Sequence, residues 1–455
     1  MVAKSGVAFS PRAFALVLLL PGCFHPTYDR PACGSGDECP TGLACDLQGV
    51  CEVPSDASGA PLDAASDSST DAPPGAPGEM PQASFTPSNG IDPTLVVALT
   101  GTVTITSNTT FDVDTGAISG GLTRAGLTGV DSGIGYFRVP AFGAGGSPLA
   151  VFVFHGLAIE HAATVGFTGQ RAVVLLIGDG AVIDGTIDVA AGHANNWSPG
   201  PGGGAGGHGL VVAEGCGAGN PGARNSTDDG GGAGGGAGAG AGRGGDAFTA
   251  LGFLSAAGGS VRATCLPGEL EPLQGGSGGG RGSAMFTTDF AAGGGGGGAL
   301  QITALGRLQI TGTIDAGGAG GDTGSPDDDD PGSGAGGGSG GVVLLESPSV
   351  MLGSAGIVAA NGGGGGAGGA VFVGGPGDHA RVSTSPAAGG TSGATGGPAG
   401  GTGGALATVA FSGDDGGHDA AGGGGAIGAI VIRSRLSTVM GTTSPAVMEL
   451  QLKPL

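Results

Sequence analysis

The stretch Ala299–Gly321, ALQITALGRLQITGTIDAGGAGG, holds two short apolar runs of alternating pattern, broken at Gly306 and followed by glycines. Alternation with period two marks a half-buried strand. The pattern recurs. Arg171–Gly192, RAVVLLIGDGAVIDGTIDVAAG, shares Gly-Thr-Ile-Asp with it, at 185–188 and 312–315. In Gly340–Gly366, GGVVLLESPSVMLGSAGIVAANGGGGG, the run Val342–Leu345 leads through a short turn to Ile357, and Ala426–Arg433 keeps only the first strand. Aligning the second strands puts Ile187, Ile314 and Ile357 at one inward offset, with Val189, Ala316 and Ala359 two residues on. Asp188, Asp315 and Val358 then point outward. Short strands repeating between glycine runs predict an all-β fold, a parallel β-helix or solenoid of short stacked strands with long glycine-rich loops.

Composition agrees with an elongated, repetitive core. The chain has 455 residues, of which 110 are glycine and only 4% aromatic, too few large side chains for two or three ordinary cores. Ordered glycine costs backbone entropy, so regular stacking has to recover it wherever Val, Ile and Leu intervene. A net charge of −22 with only 15 Lys and Arg leaves no basic patch to neutralise phosphates, which excludes nucleic acid as a partner. Three long glycine tracts, about 198–245, 275–298 and 362–425, fall between the apolar segments and read as loops.

Residues 1–22 carry Lys4 and Arg12 ahead of the short apolar run Ala13–Leu20, which is too short to span a bilayer and suits an export signal. Leu20-Pro21-Gly22-Cys23 resembles the lipobox of bacterial lipoproteins, with Pro21 departing from its usual small or β-branched residue. The resemblance implies lipidation of Cys23 and a partner in the membrane. Phe24 is not the aspartate that marks inner-membrane retention in enterobacterial lipoproteins, so the implied address is the outer membrane or cell surface. In residues 23–53, Cys33, Cys39, Cys45 and Cys51 fall at equal C-x5-C spacing without a histidine between them, which in an exported chain favours a disulfide knot over zinc. Three pairings are open. The knot is similar to cysteine-rich repeats that follow the lipobox in bacterial surface lipoproteins, and to dickkopf-type motifs. Residues 54–84, rich in Pro, Ala, Ser and Asp, read as a disordered tether. Residues 85–455 form the repetitive domain, with 85–165 as its N-terminal cap region. Cys216 and Cys265, the remaining pair, are candidates for a further bridge.

Calcium is the one ion the sequence suggests, and no other cofactor is expected. Gly317–Asp322 fits the opening of the G-G-x-G-x-D calcium repeat, and Asp327, Asp328, Asp329 and Asp330 lie between two prolines. Asp322 and these four are the metal candidates. His155, Glu160 and His161, and Asp414, Asp415, His418 and Asp419, lack the spacing of a zinc hydrolase and read as surface polar residues. No catalytic residue is assigned, because the outward ladder of Asp188 and Asp315 is interrupted by Val358.

Lipobox, knot, tether, the FDVDTGAISG segment and the G-T-I-D-x-A-G repeats together resemble glycine-rich β-helical surface lipoproteins of Gram-negative bacteria, a family without an assigned activity. The resemblance implies a lipid-anchored envelope protein with a structural or adhesive role, without turnover, meeting glycans or a cell surface. Two other classes fit the scaffold. One is a polysaccharide lyase or hydrolase, the other a calcium-dependent surface binding module.

Overall fold

In the computed structural model the described residues are 44–45, 51–52, 84–143, 145–225, 228–236, 240–248, 252, 254–260, 268–283, 290–324, 332–369, 374–393 and 397–455. The chain divides into two units, Met1–Pro77 and Gly78–Leu455. In the first, Ala44–Cys45 pairs antiparallel with Cys51–Glu52, which sets Cys45 opposite Cys51. Cys23, Cys33 and Cys39 lie outside the described residues.

The second unit is built on three large, mostly parallel sheets. A seven-stranded sheet runs Thr442–Ser444, Ile357–Ala359, Thr313–Asp315, Thr186–Asp188, Thr164–Thr168, Thr109–Asp112, Ile118–Gly120. An eight-stranded sheet runs Met448–Leu450, Ala429–Arg433, Val342–Glu346, Ala299–Ala304, Ala172–Ile177, Leu149–Phe154, Ile134–Val139, Gly129–Asp131. The six-stranded sheet runs Leu436–Val439, Ser349–Leu352, Arg307–Ile310, Ala181–Ile183, Gly156–Ile159, Thr102–Ile105. Only the pairings of Ile118–Gly120, Gly129–Asp131 and Ile134–Val139 are antiparallel, and these close one end of two of the sheets.

All three sheets contribute to one apolar core. Ile177, Ile183, Ile187, Ile302, Ile310, Ile314, Leu345, Leu352 and Val358 are all buried in it. The inner strands of the eight-stranded sheet, Leu149–Phe154, Ala172–Ile177, Ala299–Ala304 and Val342–Glu346, are buried on both faces, which is why they read as largely apolar runs. Along Ala172–Ile177, Val173, Leu175 and Ile177 face the first core, while Ala172, Val174 and Leu176 face a second. That second core is covered by Phe85, Ile91, Val96 and Leu99, so residues 85–99 form a strap across the sheet. Its polar residues are hooked underneath. The Ser88 hydroxyl and amide donate to Glu346, and the Asn89 side chain donates to Gln301 and to the Leu270 carbonyl.

The expected β-helix with glycine-rich loops is corrected on two points. The strands belong to three extended sheets of six to eight strands with antiparallel ends, and the glycine tracts are not loops. Successive amides of residues 334–341 bond to three different neighbours in rotation. Gly334, Gly337 and Gly340 donate to 420, 423 and 426; Ala335, Gly338 and Gly341 to 322, 319 and 316; Gly336 and Ser339 to 280 and 277, all at 2.7–3.0 Å. The same tract accepts from 232 and 235, from 294 and 297, and from 363 and 366. It is therefore surrounded by six other tracts and bonded to all of them. Partner exchange with period three is the signature of the extended polyproline II helix, whose amides point outward at three residues per turn with no internal bonds. Tracts 362–369 and 420–428 repeat the rule: Gly362, Gly365 and Gly368 donate to 404, 401 and 398, and Ala420, Gly423 and Ala426 to 229, 232 and 235. The glycines thus form a packed, backbone-bonded bundle continuous with the sheets. Neighbouring backbones approach so closely that a Cβ on Gly338 would collide with the Gly295 carbonyl.

One register is also corrected. Ile187 and Ile314 are partners as expected, but the next residue in that line is Val358, and Asp188 and Asp315 continue to Ala359. Ile357 is half-buried and pairs with Thr313, while Val358 is buried, and Ala360 takes the place beside Val189 and Ala316 in the core. The cause is the turn that precedes this strand. Ile310 and Thr313 are separated by two residues, whereas their partners Leu352 and Ile357 are separated by four, with Gly356 turning back on Gly353.

Candidate functional site

Each Gly-Thr-Ile-Asp strand delivers its aspartate to the point where a strand becomes a glycine tract. Asp188 Oδ1 accepts the Ala190 amide at 3.0 Å, and Asp315 Oδ1 accepts the Gly317 amide at 2.9 Å. Both are Asx turns of the same form, in which a short carboxylate satisfies the amide two residues on and bends the chain out of the sheet. Parallel register makes the two aspartates neighbours, in a line that reads Thr110, Gly166, Asp188, Asp315, Ala359, Ser444.

His193 joins this line, and further polar groups lie along the tracts that leave it. His193 Nε2 lies 3.1 Å from Asp188 Oδ1, and that hydrogen bond raises the imidazole's proton affinity against the opposing effect of its burial. Burial pushes the Asp315 carboxyl up to about 6, with the nearby Asp188 charge adding to it and the Gly317 amide opposing it. His379 accepts the Gly320 amide at Nδ1, 3.3 Å away, and its ring lies over Gly192. Asn196 donates to Asp322. Trp197, the sole tryptophan, follows Asn196 and stacks on His208 with centroids 5.1 Å apart. The chemistry on offer is proton exchange: a carboxyl that carries its proton into mildly acidic solution, beside a carboxylate paired with an imidazole.

The metal candidates separate. Asp322 is half-buried, and burial raises its proton affinity, which opposes holding the charge a cation needs. Asp327, Asp328, Asp329 and Asp330 lie outside the described residues. Among the described residues no three His, Cys, Asp or Glu side chains are grouped to hold a metal ion. Cys216 is disulfide-bonded, and Cys265 lies outside the described residues. Of the polar clusters read as surface, Glu160, His161, Asp414, Asp415 and His418 are exposed, His155 is half-buried and Asp419 is buried. His418 Nδ1 lies 2.7 Å from the buried Asp228. His193, His379 and Asn196 were not singled out by the sequence. The one available signal was that His193 and Asn196 follow the repeated Gly-Thr-Ile-Asp within eight residues.

A second titratable group, Glu346, is fully buried beneath the strap. Burial raises its proton affinity, while donors from Ser88 and Thr303 oppose that shift. Its partners fasten the strap to the sheet, and this accounts for its place. No family model matches the chain, and no curated protein and no solved structure matches it.

Proposed function

We propose that this chain is an exported protein held to the outer membrane or cell surface through lipid on Cys23, with a structural or adhesive role toward glycans or a cell surface. The observation that supports the reading most is the glycine bundle. A large part of the glycine-rich sequence is spent on a body whose amides are bonded in three directions, and such a body holds its shape without large side chains. The paired aspartates have architectural work as turn caps. Fractionation of cells making the intact chain and the Cys23→Ala variant tests the anchor. The intact chain is expected with membranes and the variant in the soluble fraction; equal membrane retention of both contradicts the reading.

A second reading, a polysaccharide-active enzyme, is favoured by one observation: Asp188, Asp315 and His193 converge at one strand-to-tract junction. On this reading Asp315 donates the proton, with Asp188 and His193 beside it. Release of sugar from a polysaccharide by the purified chain, lost in both Asp188→Asn and Asp315→Asn, would put this reading first.

A further inference from the structure

Past Asp188 the chain first follows the tract that leaves Asp315, with the Val189 and Ala191 amides donating to the Asp315 and Gly317 carbonyls, and then departs from it in a short surface loop. The Gly192 amide donates to the Ser198 carbonyl at 2.9 Å and closes this loop at its base. Its two limbs are fastened differently. On the returning limb the Asn196 carbonyl accepts the Gly295 amide, the Trp197 carbonyl accepts the Gly206 amide, and the Asn196 side chain donates to Asp322. On the outgoing limb His193 and Ala194 are exposed, and among the described residues neither backbone makes a hydrogen bond. Asn195 bonds only within the loop, its carbonyl accepting the Ser198 amide at 3.0 Å and its Oδ1 the Ser198 hydroxyl at 2.7 Å. One contact therefore hooks the outgoing limb to the body: His193 Nε2, 3.1 Å from Asp188 Oδ1.

That hook stands among charges. Asp188 is in register with Asp315, and the imidazole's proton affinity is raised by its hydrogen bond to Asp188 and by the charges of both carboxylates, against its burial. His379 faces the base of the loop, its ring over Gly192 and its Nδ1 accepting the Gly320 amide, so that nitrogen carries no proton. Asp378 and Arg381, on either side of His379, are paired with each other. Two ionisations follow as pH rises. Asp315 loses its proton at about 6, which sets a second negative charge beside the charged imidazole and tightens the hook. His193 loses its own above the ordinary value of 6.5. The hook then falls from a charge-assisted bond to a weaker neutral donor, and two neighbouring carboxylates are left without a counter-charge. Water relieves that repulsion, and the outgoing limb is the part free to move and admit it.

We infer that residues 193–195 form a flap at the paired aspartates, held shut by the His193–Asp188 contact while the imidazole is charged and released as it becomes neutral. Residue-resolved amide hydrogen exchange of the full chain at about pH 6 and about pH 8.5, corrected for the intrinsic effect of pH, tests it. Protection of the Ser198 amide, whose acceptor Asn195 moves with the flap, should fall by about tenfold between the two. Ile302 in the sheet should keep its protection. His193→Gln, which can bond to Asp188 without titrating, should abolish the step, and His379→Gln should leave it in place. A Ser198 amide indifferent to pH, a step that survives His193→Gln, a step that disappears with His379→Gln, or an equal loss at Ile302 would each overturn the inference.

Discussion

Asp315 shows how one side chain serves the fold at a cost. Its Oδ1 caps the exit from the strand, yet burial and the neighbouring Asp188 lift its proton affinity to about 6. The folded protein therefore holds this proton more tightly than the unfolded chain does, and the group weakens the fold as pH rises from about 4 to about 6, with the full penalty present above that window. His193 acts in the same direction. Its raised proton affinity stabilises the fold while the imidazole is charged, and that contribution is lost as pH rises through its folded value. Asp315→Asn keeps an oxygen for the Gly317 amide and removes the charge. At pH 7 the variant should be more stable by on the order of 1–2 kcal/mol, less than the full shift implies because the side chain is partly solvated, and the two proteins should converge by about pH 4. Urea unfolding at the two pH values measures this; a variant less stable than the parent at pH 7 would contradict the assignment.

The elements differ in what the sequence discloses. The strands of Ala172–Ile177 and Ala299–Ala304 were legible because strands buried on both faces read as short, largely apolar runs between glycines. The line through Ile187 and Ile314 was legible up to the turn at residues 353–356, whose added length shifts Val358 into the core where Ile357 was expected. Side-chain identity alone does not count turn residues, and aligning isoleucine on isoleucine placed the third strand one residue out of register. The glycine tracts were illegible for a stronger reason. Their order is carried by amides and carbonyls with period three, and glycine has no side chain in which such a period could be written. The aspartate pair was visible as a repeat, but its partner His193 comes from a tract residue that folds back over the junction, while His379 and Asn196 meet the following tract at Gly320 and Asp322. Packing makes the tract testable by substitution. Gly338→Ala would drive its Cβ into the Gly295 carbonyl and should cost about 2–4 kcal/mol, whereas Gly417, with open space around it, should tolerate alanine with no loss or a gain below about 1 kcal/mol. Thermal unfolding of the two variants checks this, and equal effects would mean that the tracts are not packed.

At the scale of the whole molecule, two kinds of order share one backbone. The sheets are held by two buried apolar clusters, one among the three sheets and one beneath the strap. The bundle has almost no side chains to bury and depends on hydrogen bonds that close in every direction, with Cα–H groups packed against neighbouring carbonyls. Because tracts 333–341 and 420–428 lead directly into Val342–Glu346 and Ala429–Arg433, a sheet and the bundle order each other. Among the described residues no helix is long and apolar enough to cross a membrane. The central claim is that the glycine tracts are a bonded part of the fold, and amide hydrogen exchange tests it most directly. The amides of Gly232, Gly235, Gly334, Gly337 and Gly423, each with a carbonyl partner in another tract, should exchange as slowly as those of Val343 and Ile302 in the sheets. Exchange of these glycines at the rate of an unstructured chain, while the strands stay protected, would contradict it.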